Sequence, residues 1–425
     1  MKEKALRFLK DPTSIHIAVN TIGNYLNVAF TAVFAIILVR IMTPAQYGEL
    51  SVLLGIAYVM ASVLEFGTVA TIYSTIPDLY LSKSKRIYQF VKSTFVYQSS
   101  FSLLVLGILF VFFPQLNVVF FKTHATGTTL SVTVISALFF IWQNFCTNIL
   151  FAAKKFTRAN VYLNTANVVK LGAILLLAQV GKIDVSAVIV IFGIVGPLVF
   201  FAMAFAKSGK HIVQAVTAPV KKEEFKFKYT FTYFLATQFY NVGLRMDLFL
   251  LSFYGLRNEV GYYALSQKII LSIITSIVSI TQVLSPGFAV VKTKTAIVKQ
   301  LKKGLLYMLV PCAVFLALFV TPASIFSLVF TENFGETAAI THVLSLPFIL
   351  NALGSVPMLF LLYTVKKPVP ILIGNIFFFV AMTVGSYVLI PQYGVFGPPI
   401  AITIGFLLAI AIQLVISYRY IISYT

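Results

Sequence analysis

Lys207-Ser-Gly-Lys210-His-Ile-Val-Gln-Ala-Val-Thr-Ala-Pro-Val-Lys221-Lys222-Glu-Glu-Phe-Lys226-Phe-Lys228 is the longest interval between apolar runs in this chain, and it is basic. Six apolar runs precede it and six follow. Shorter intervals repeat the pattern on both sides: Lys83/Lys85/Arg86/Lys92, Lys154/Lys155/Arg158 and Lys292/Lys294/Lys299/Lys302/Lys303. Lys2, Lys4, Arg7 and Lys10 open the chain, and Lys366, Lys367 and Arg419 lie near its end. The alternate connections hold only Lys122, Lys182 and Arg257. Lys and Arg are retained on the cytoplasmic side during insertion, so this alternation predicts a polytopic membrane protein with both termini in the cytoplasm.

The composition excludes a soluble domain. Of 425 residues, 59% are hydrophobic and 10% charged, too few charges to cover a globule of that size. The net charge of +20 would suggest nucleic acid in a soluble protein. Here the basic residues sit between apolar runs, so they set topology and meet anionic headgroups, and no nucleic-acid partner is expected. Cys146 and Cys312 both lie inside apolar runs without metal-ligand neighbours, and no disulfide framework is expected. The first apolar run is long and lacks a small-residue cleavage site, so it reads as a retained span.

A helical span needs about 20 mostly apolar residues, and twelve segments qualify. They are 15–41, 48–74, 91–113, 129–152, 159–180 and 185–206, then 229–253, 260–284, 304–330, 337–363, 368–390 and 399–421. The expected architecture is all-α and integral to the membrane. An N-terminal six-helix bundle (1–210) is followed by a cytoplasmic basic linker (211–228) and a C-terminal six-helix bundle (229–425). No connection is long enough for a soluble catalytic domain. The halves look like parallel repeats. Leu38-Val-Arg40-Ile-Met-Thr-Pro-Ala-Gln-Tyr-Gly48 ends one span and opens the next, and Leu251-Ser-Phe-Tyr-Gly-Leu-Arg257-Asn-Glu-Val-Gly261 does the same in the second half. Such repeats commonly place a substrate site at their interface near mid-membrane.

Several spans carry polar residues three or four apart, which puts each set on one helical face. The first has Asn20, Asn24, Asn27 and Thr31, and the fifth has Asn160, Asn164 and Asn167, leading towards Lys170. The seventh has Gln238, Asn241 and Arg245, and the eighth has Lys268, Ser272, Thr275, Ser279 and Gln282. Lipid cannot satisfy these groups, so they should face protein or water. Interhelical hydrogen bonding explains any one stripe, whereas matched stripes in both halves favour a shared wet cavity. The charged residues within spans are Glu65, Lys170, Arg245, Asp247 and Lys268, with Arg40 near an outer helix end. Each costs several kcal/mol to hold in a membrane and is a functional candidate by default. Asp247 and Lys268 could equally form a structural ion pair between adjacent spans. Arg245 and Asp247 are two apart on one helix and should not pair. Glu65 could titrate a proton or partner a basic residue. Arg40 could serve only as an interfacial anchor. Basic residues outnumber acidic ones in this set, which suits an anionic substrate.

Catalysis has little support. His16, His124, His211 and His342 are scattered, with no metal spacing or nucleophile elbow. No GxxxxGK[ST] sequence is present, so ATP hydrolysis is not expected.

Five stretches resemble the polysaccharide-transporter branch of the MATE-like (MOP) flippase superfamily. They are Arg40-Ile-Met-Thr-Pro-Ala-Gln-Tyr-Gly48, Glu65-Phe-Gly-Thr-Val-Ala-Thr71, and Asp247 followed by Gly261-Tyr-Tyr-Ala-Leu-Ser-Gln-Lys268. The others are Pro322-Ala-Ser-Ile-Phe-Ser-Leu-Val-Phe330 before Glu332, and Tyr393-Gly-Val-Phe-Gly397 with Ala401. Two positions depart from the pattern. Ser266-Gln267 stands where many members carry a small residue, and Pro398-Pro399 replaces small residues before the last span. The resemblance implies two six-helix bundles that alternate in access. It implies translocation of a polyprenyl-pyrophosphate-linked oligosaccharide of the O-antigen or capsule type across a prokaryotic cytoplasmic membrane. It further implies no bound cofactor, coupling to an H+ or Na+ gradient, and membrane lipids and glycan polymerase or export machinery as partners. The expected substrate-binding residues are Arg245, Lys268, Lys170, Arg40, Asn24, Asn27, Asn164 and Asn241, with Asp247 and Glu65 for ion coupling or pairing. A MATE-type antiporter of drugs or metabolites is the first alternative, and a membrane-embedded glycan polymerase or glycosyltransferase the second.

Overall fold

The computed structural model describes residues 12–181, 183–221, 227–291, 293–365, 367 and 369–423. The side chains of Asn20, Asn24, Ser279 and Gln282 lie outside the described residues, as does the middle of the basic linker, 222–226. Among the described residues there are helices and no strands.

The helices follow the apolar runs. In the first half they are α1 (Pro12–Ile41), α2 (Pro44–Leu64), α3 (Thr68–Leu81), α4 (Arg86–Leu116), α5 (Gly127–Ala152), α6 (Phe156–Gln179), α7 (Val185–Val190) and α8 (Gly196–Thr217). In the second half they are α9 (Phe227–Phe253), α10 (Arg257–Val290), α11 (Lys294–Val320), α12 (Ala323–Phe330), α13 (Thr337–Leu359), α14 (Val369–Val380), α15 (Ser386–Tyr393) and α16 (Gly397–Ser423). Starts are fixed by ordinary capping. Thr126 accepts from the Thr129 amide, Asp184 from the Ala187 amide and Thr293 from the Ala296 amide.

Nine helical segments among the described residues are long and apolar enough to cross a membrane. One of them, Val369–Ile422, is 54 residues long and covers the last two expected spans. Tyr25–Ile41 is a shorter apolar helix inside the first expected span. Surface chemistry agrees with a lipid environment. Leu328, Val118, Val320 and Leu306 are among the most exposed side chains, whereas Gln98, Thr133, Ser136, Asn167 and Gln267 are buried. A water-soluble protein arranges these the other way round.

Two compact units result. Among the described residues the first holds 12–34, 53–116 and 124–235, and the second holds 35–52, 117–123 and 236–423. In the first, α5 packs against α3, α4 and α7, and α6 against α8. An apolar plug of Ile72, Ile76, Phe90, Phe145, Ala152 and Ala153 joins α3, α4 and α5 where the Lys83–Arg86 loop lies. In the second, α13 is central, packing on α10, α11 and α16.

Two expected helices are not continuous. The ninth span, read as 304–330, is broken at Thr321-Pro322 between α11 and α12. The second span, read as 48–74, is broken between α2 and α3 at Glu65-Phe66-Gly67. Phe66 and Gly67 both have left-handed backbone, with φ of 50° and 69°. A residue with a side chain costs about 1–2 kcal/mol in that region, so Phe66 is there because its surroundings require it.

Candidate functional site

In the second unit the site is organised by a buried carboxylate. Asp247 on α9 is fully buried. Its Oδ1 accepts the Leu248 amide at 2.7 Å. Its Oδ2 accepts the Tyr263 hydroxyl at 2.8 Å and Gln267 Nε2 at 2.7 Å. Tyr263 and Gln267 are four apart on α10 and so share one face of it. Three short hydrogen bonds to one carboxylate offset much of the cost of removing its charge from water.

Gln267 has a second task. Its Oε1 accepts Arg245 Nη1 at 3.1 Å, while Nε2 also reaches the Leu244 carbonyl at 3.1 Å. Arg245 and Asp247 point in different directions from α9, as their spacing dictates. The amide bridges them across the neighbouring helix. Arg245 is thereby held by a group that Asp247 itself holds.

Lys268 faces elsewhere. Its ammonium lies 4.9 Å from the ring centroid of Tyr47, a cation–π arrangement, and the groups that bond Asp247 are Leu248, Tyr263 and Gln267. Tyr47 is buried and meets Phe334 edge-on at 5.7 Å. Two glycines allow this proximity. A Cβ on Gly48 would lie 2.8 Å from the Gly261 amide nitrogen, and one on Gly261 would run into the Pro44 carbonyl. The starts of α2 and α10 therefore cross backbone to backbone, and Tyr47 is carried to Lys268. Arg40 is exposed and donates to the Val329 carbonyl at 3.4 Å, so it sits at the end of α12. Asn241 is exposed one helical turn before Arg245.

In the first unit the polar stripe of α6 faces α1. Asn167 Nδ2 donates to Asn27 Oδ1 at 2.8 Å. Asn164 donates to the Asn160 carbonyl at 2.8 Å, and its own Oδ1 is buried without a protein partner. Asn160 packs where any side chain at Gly23 would stand. Lys170 continues the stripe. Its ammonium is 5.5 Å from the Phe34 ring and 5.1 Å from the Phe192 ring, which pack edge-on with centroids 4.9 Å apart. Its stem presses on Gly196, where a Cβ would be 2.9 Å from Lys170 Cδ. The rings thus hold the cation from its aromatic side. Glu65 occupies the break between α2 and α3, within hydrogen-bonding reach of the Asn144 side chain.

The structure therefore links Arg245 with Asp247 through Gln267, and Asn27 with Asn167, the residue next to Asn164 on the α6 stripe. The contact described for Arg40 is with the Val329 carbonyl. Sequence reasoning missed Gln267 and Tyr263 as partners of Asp247, although Ser266-Gln267 stood out as a departure from the family pattern. It also missed the buried polar face of α4, which carries Thr94, Gln98 and Ser102.

The helical, multi-pass arrangement of the described residues is a MATE-like fold. The solved structures agree. One is an inward-facing multidrug resistance MATE family transporter of the MOP superfamily, with a TM-score of 0.73 at 14% identity over 96% of this chain and 98% of that one. The lipid II flippase MurJ, in an inward closed conformation, gives 0.72 at 16% identity over 95% and 90%. A MOP superfamily transporter from Pyrococcus furiosus, described by the reversed polarity of its binding pocket, gives 0.61 at 15% identity over 99% and 96%. These identities establish the fold alone. A search of curated proteins returned no match. A family model described as "Polysaccharide biosynthesis protein" matches residues 16–292, more than half of the chain. The chain belongs to that family.

Proposed function

We propose that this protein moves a polyprenyl-pyrophosphate-linked oligosaccharide from the inner to the outer leaflet of a prokaryotic cytoplasmic membrane by alternating access. The family supports a role in polysaccharide biosynthesis, and the fold supports a transporter. The observation that carries the reading is the Asp247–Gln267–Arg245 arrangement. It presents a guanidinium whose orientation is set in advance, and a guanidinium matches phosphate oxygens in a planar fork. Lys268 on the same pair of helices and Lys170 in the first unit add positive charge held beside aromatic rings, without a carboxylate bound to it in the contacts described. A pyrophosphate and its sugars cannot cross hydrocarbon unaided, because their polar groups would be stripped of water. Cationic and amide side chains replace part of that hydration, while the polyprenyl tail stays in lipid. The alternating basic loops support cytoplasmic termini, and coupling to H+ or Na+ supplies the driving force in this reading. Glycan polymerase and export machinery are its expected neighbours. A cavity dominated by carboxylates would have favoured a MATE-type antiporter of cations.

The test is transport of a fluorescent polyprenyl-pyrophosphate oligosaccharide in proteoliposomes. Arg245→Gln should reduce the rate at unchanged protein content. Arg245→Lys should recover only part of it, since losing a bidentate contact costs about 1–2 kcal/mol, roughly tenfold in rate. Unchanged transport in Arg245→Gln and Lys268→Gln would overturn the reading.

A further inference from the structure

We propose that the chain beyond the kink in α8, residues 209–221, is a membrane-surface strap that binds anionic phospholipid headgroups in the leaflet beside the basic loops. The inference concerns the first unit only and does not depend on what the protein transports.

The sixth span does not run straight into the linker. Ser208 has non-helical backbone, with φ −134° and ψ 16°, and helix resumes beyond it as far as Thr217. A helix interrupted in this way leaves the direction of the span. Its new course is pinned to the first turns of α4 at three points. The Tyr88 hydroxyl and His211 Nδ1 lie 2.8 Å apart, and the two rings stack with centroids 6.1 Å apart. Lys92 Nζ donates to the Val216 carbonyl at 2.6 Å, among the carbonyls that a helix end leaves without intrahelical partners. The Lys221 amide donates at 2.8 Å to Ser93 Oγ, whose side chain is buried.

The free face of the strap is not that of a helix in water. Val213 and Val216 are three apart, so they lie side by side and away from His211. Both are exposed, as is Val220 just past the helix end, whereas Ile212 and Ala215 are half-buried. Val216 is 65% exposed, more than Phe205 at 60% on the preceding span, so the apolar surface of α8 continues through the kink. Around the valines stand Lys207, Lys210 and Lys221, all exposed. Neither α4 nor 205–221 contains a carboxylate, so the counter-charge comes from outside these two elements. Apolar residues flanked by lysines are what a helix lying in a membrane surface presents: the valines enter the acyl boundary and the ammonium groups meet headgroup phosphates. An acidic protein surface would satisfy the lysines and leave the valines wet. Continuity with the apolar surface of the span selects lipid.

For the test, purified full-length protein with Val213→Cys carries an environment-sensitive dye and is reconstituted in liposomes. The unaltered protein, with Cys146 and Cys312 inside its apolar helices, is the labelling blank. Phosphatidylglycerol or phosphatidylcholine with brominated acyl chains serves as quencher. Both should quench, and phosphatidylglycerol should reach half-maximal quenching at a mole fraction about fivefold lower, the factor one lysine contributes near an anionic surface. High salt should shrink that advantage. Lys207→Gln, Lys210→Gln and Lys221→Gln together should erase it while leaving the melting temperature and quenching by phosphatidylcholine unchanged. A dye at His124→Cys, in an exposed loop, should show no preference between the lipids. If the triple variant does not fold, the two lipids compared on the labelled Val213→Cys protein still decide. Stronger quenching by aqueous iodide than by either lipid would put the strap in water. Equal quenching by the two lipids would remove headgroup recognition, and no quenching by any of the three would place the valines under protein. Each of these results would overturn the proposal. No glycan is present in these measurements, so their failure is separate from failure of the transport reading.

Discussion

The second and eighth spans begin alike and continue differently. Each follows a short turn and places a glycine in its first turns, Gly48 in α2 and Gly261 in α10, and these glycines pack against one another. Beyond that crossing, α10 runs 34 residues without interruption, whereas α2 stops after 21 and the chain reverses its backbone hand at Phe66 and Gly67. In α10 the polar side chains serve a carboxylate on another helix: Tyr263 and Gln267 both bond Asp247. In the second span the polar side chains of another helix serve the opened backbone: Thr68 aside, the groups at the break are Gln98 and Ser102 of α4. A membrane helix can therefore carry polarity as side chains or as exposed carbonyls, and each choice needs its own set of buried partners.

The shared crossing is the element whose loss should do most. Gly261→Leu drives a side chain into the Pro44 carbonyl, and neither backbone can retreat without unpacking α2 from α10. Overpacking of this kind costs about 3 kcal/mol, so the purified protein should melt many degrees lower or fail to accumulate. Normal accumulation with an unchanged melting temperature would show that the spans do not cross as described.

The difference between the spans is sharpened at the break. Thr68→Val keeps the shape and removes the hydroxyl that links Glu65 to Gln98, leaving buried groups unpaired at a cost of about 1–2 kcal/mol. Gly67→Ala tests the backbone alone. It retains every side-chain partner and forces alanine to φ 69°, for about 1 kcal/mol. Thr68→Val should therefore lower the melting temperature more than Gly67→Ala, and equal stability of both with the unaltered protein would indicate that the second span can straighten at no cost.

Much of this was legible beforehand, for physical reasons. Hydropathy and the alternating basic loops give the spans because insertion itself reads those quantities. The α6 stripe was legible because Asn160, Asn164 and Asn167 recur at helical spacing, and the structure turns Asn167 towards Asn27. The break was not legible. Breaks are ordinarily signalled by proline, and Glu65-Phe66-Gly67 offers only a glycine; what opens the helix is α4, more than thirty residues later in sequence. The partners of Asp247 were missed for a similar reason. A pairing argument from charge looks for Lys268, but neutral Tyr263 and Gln267 satisfy a buried carboxylate while leaving the ammonium to Tyr47.

That division of labour on α10 gives the smallest expected effect on stability, and the one that bears most on function. If Lys268 were the ion-pair partner of Asp247, removing its charge would strand a fully buried carboxylate and cost about 3–5 kcal/mol. In the arrangement found here, Asp247 keeps Leu248, Tyr263 and Gln267 when Lys268 changes. Lys268→Met retains the unbranched stem and loses only the contact with the Tyr47 ring, about 0.5–1 kcal/mol. The melting temperature should hardly move. If the proposed function holds, transport of a lipid-linked glycan should nevertheless fall, because that reading has an anionic headgroup meet the positive charge beside Tyr47. A large loss of stability in Lys268→Met, relieved by adding Asp247→Asn, would restore the ion pair and remove Lys268 from the substrate path.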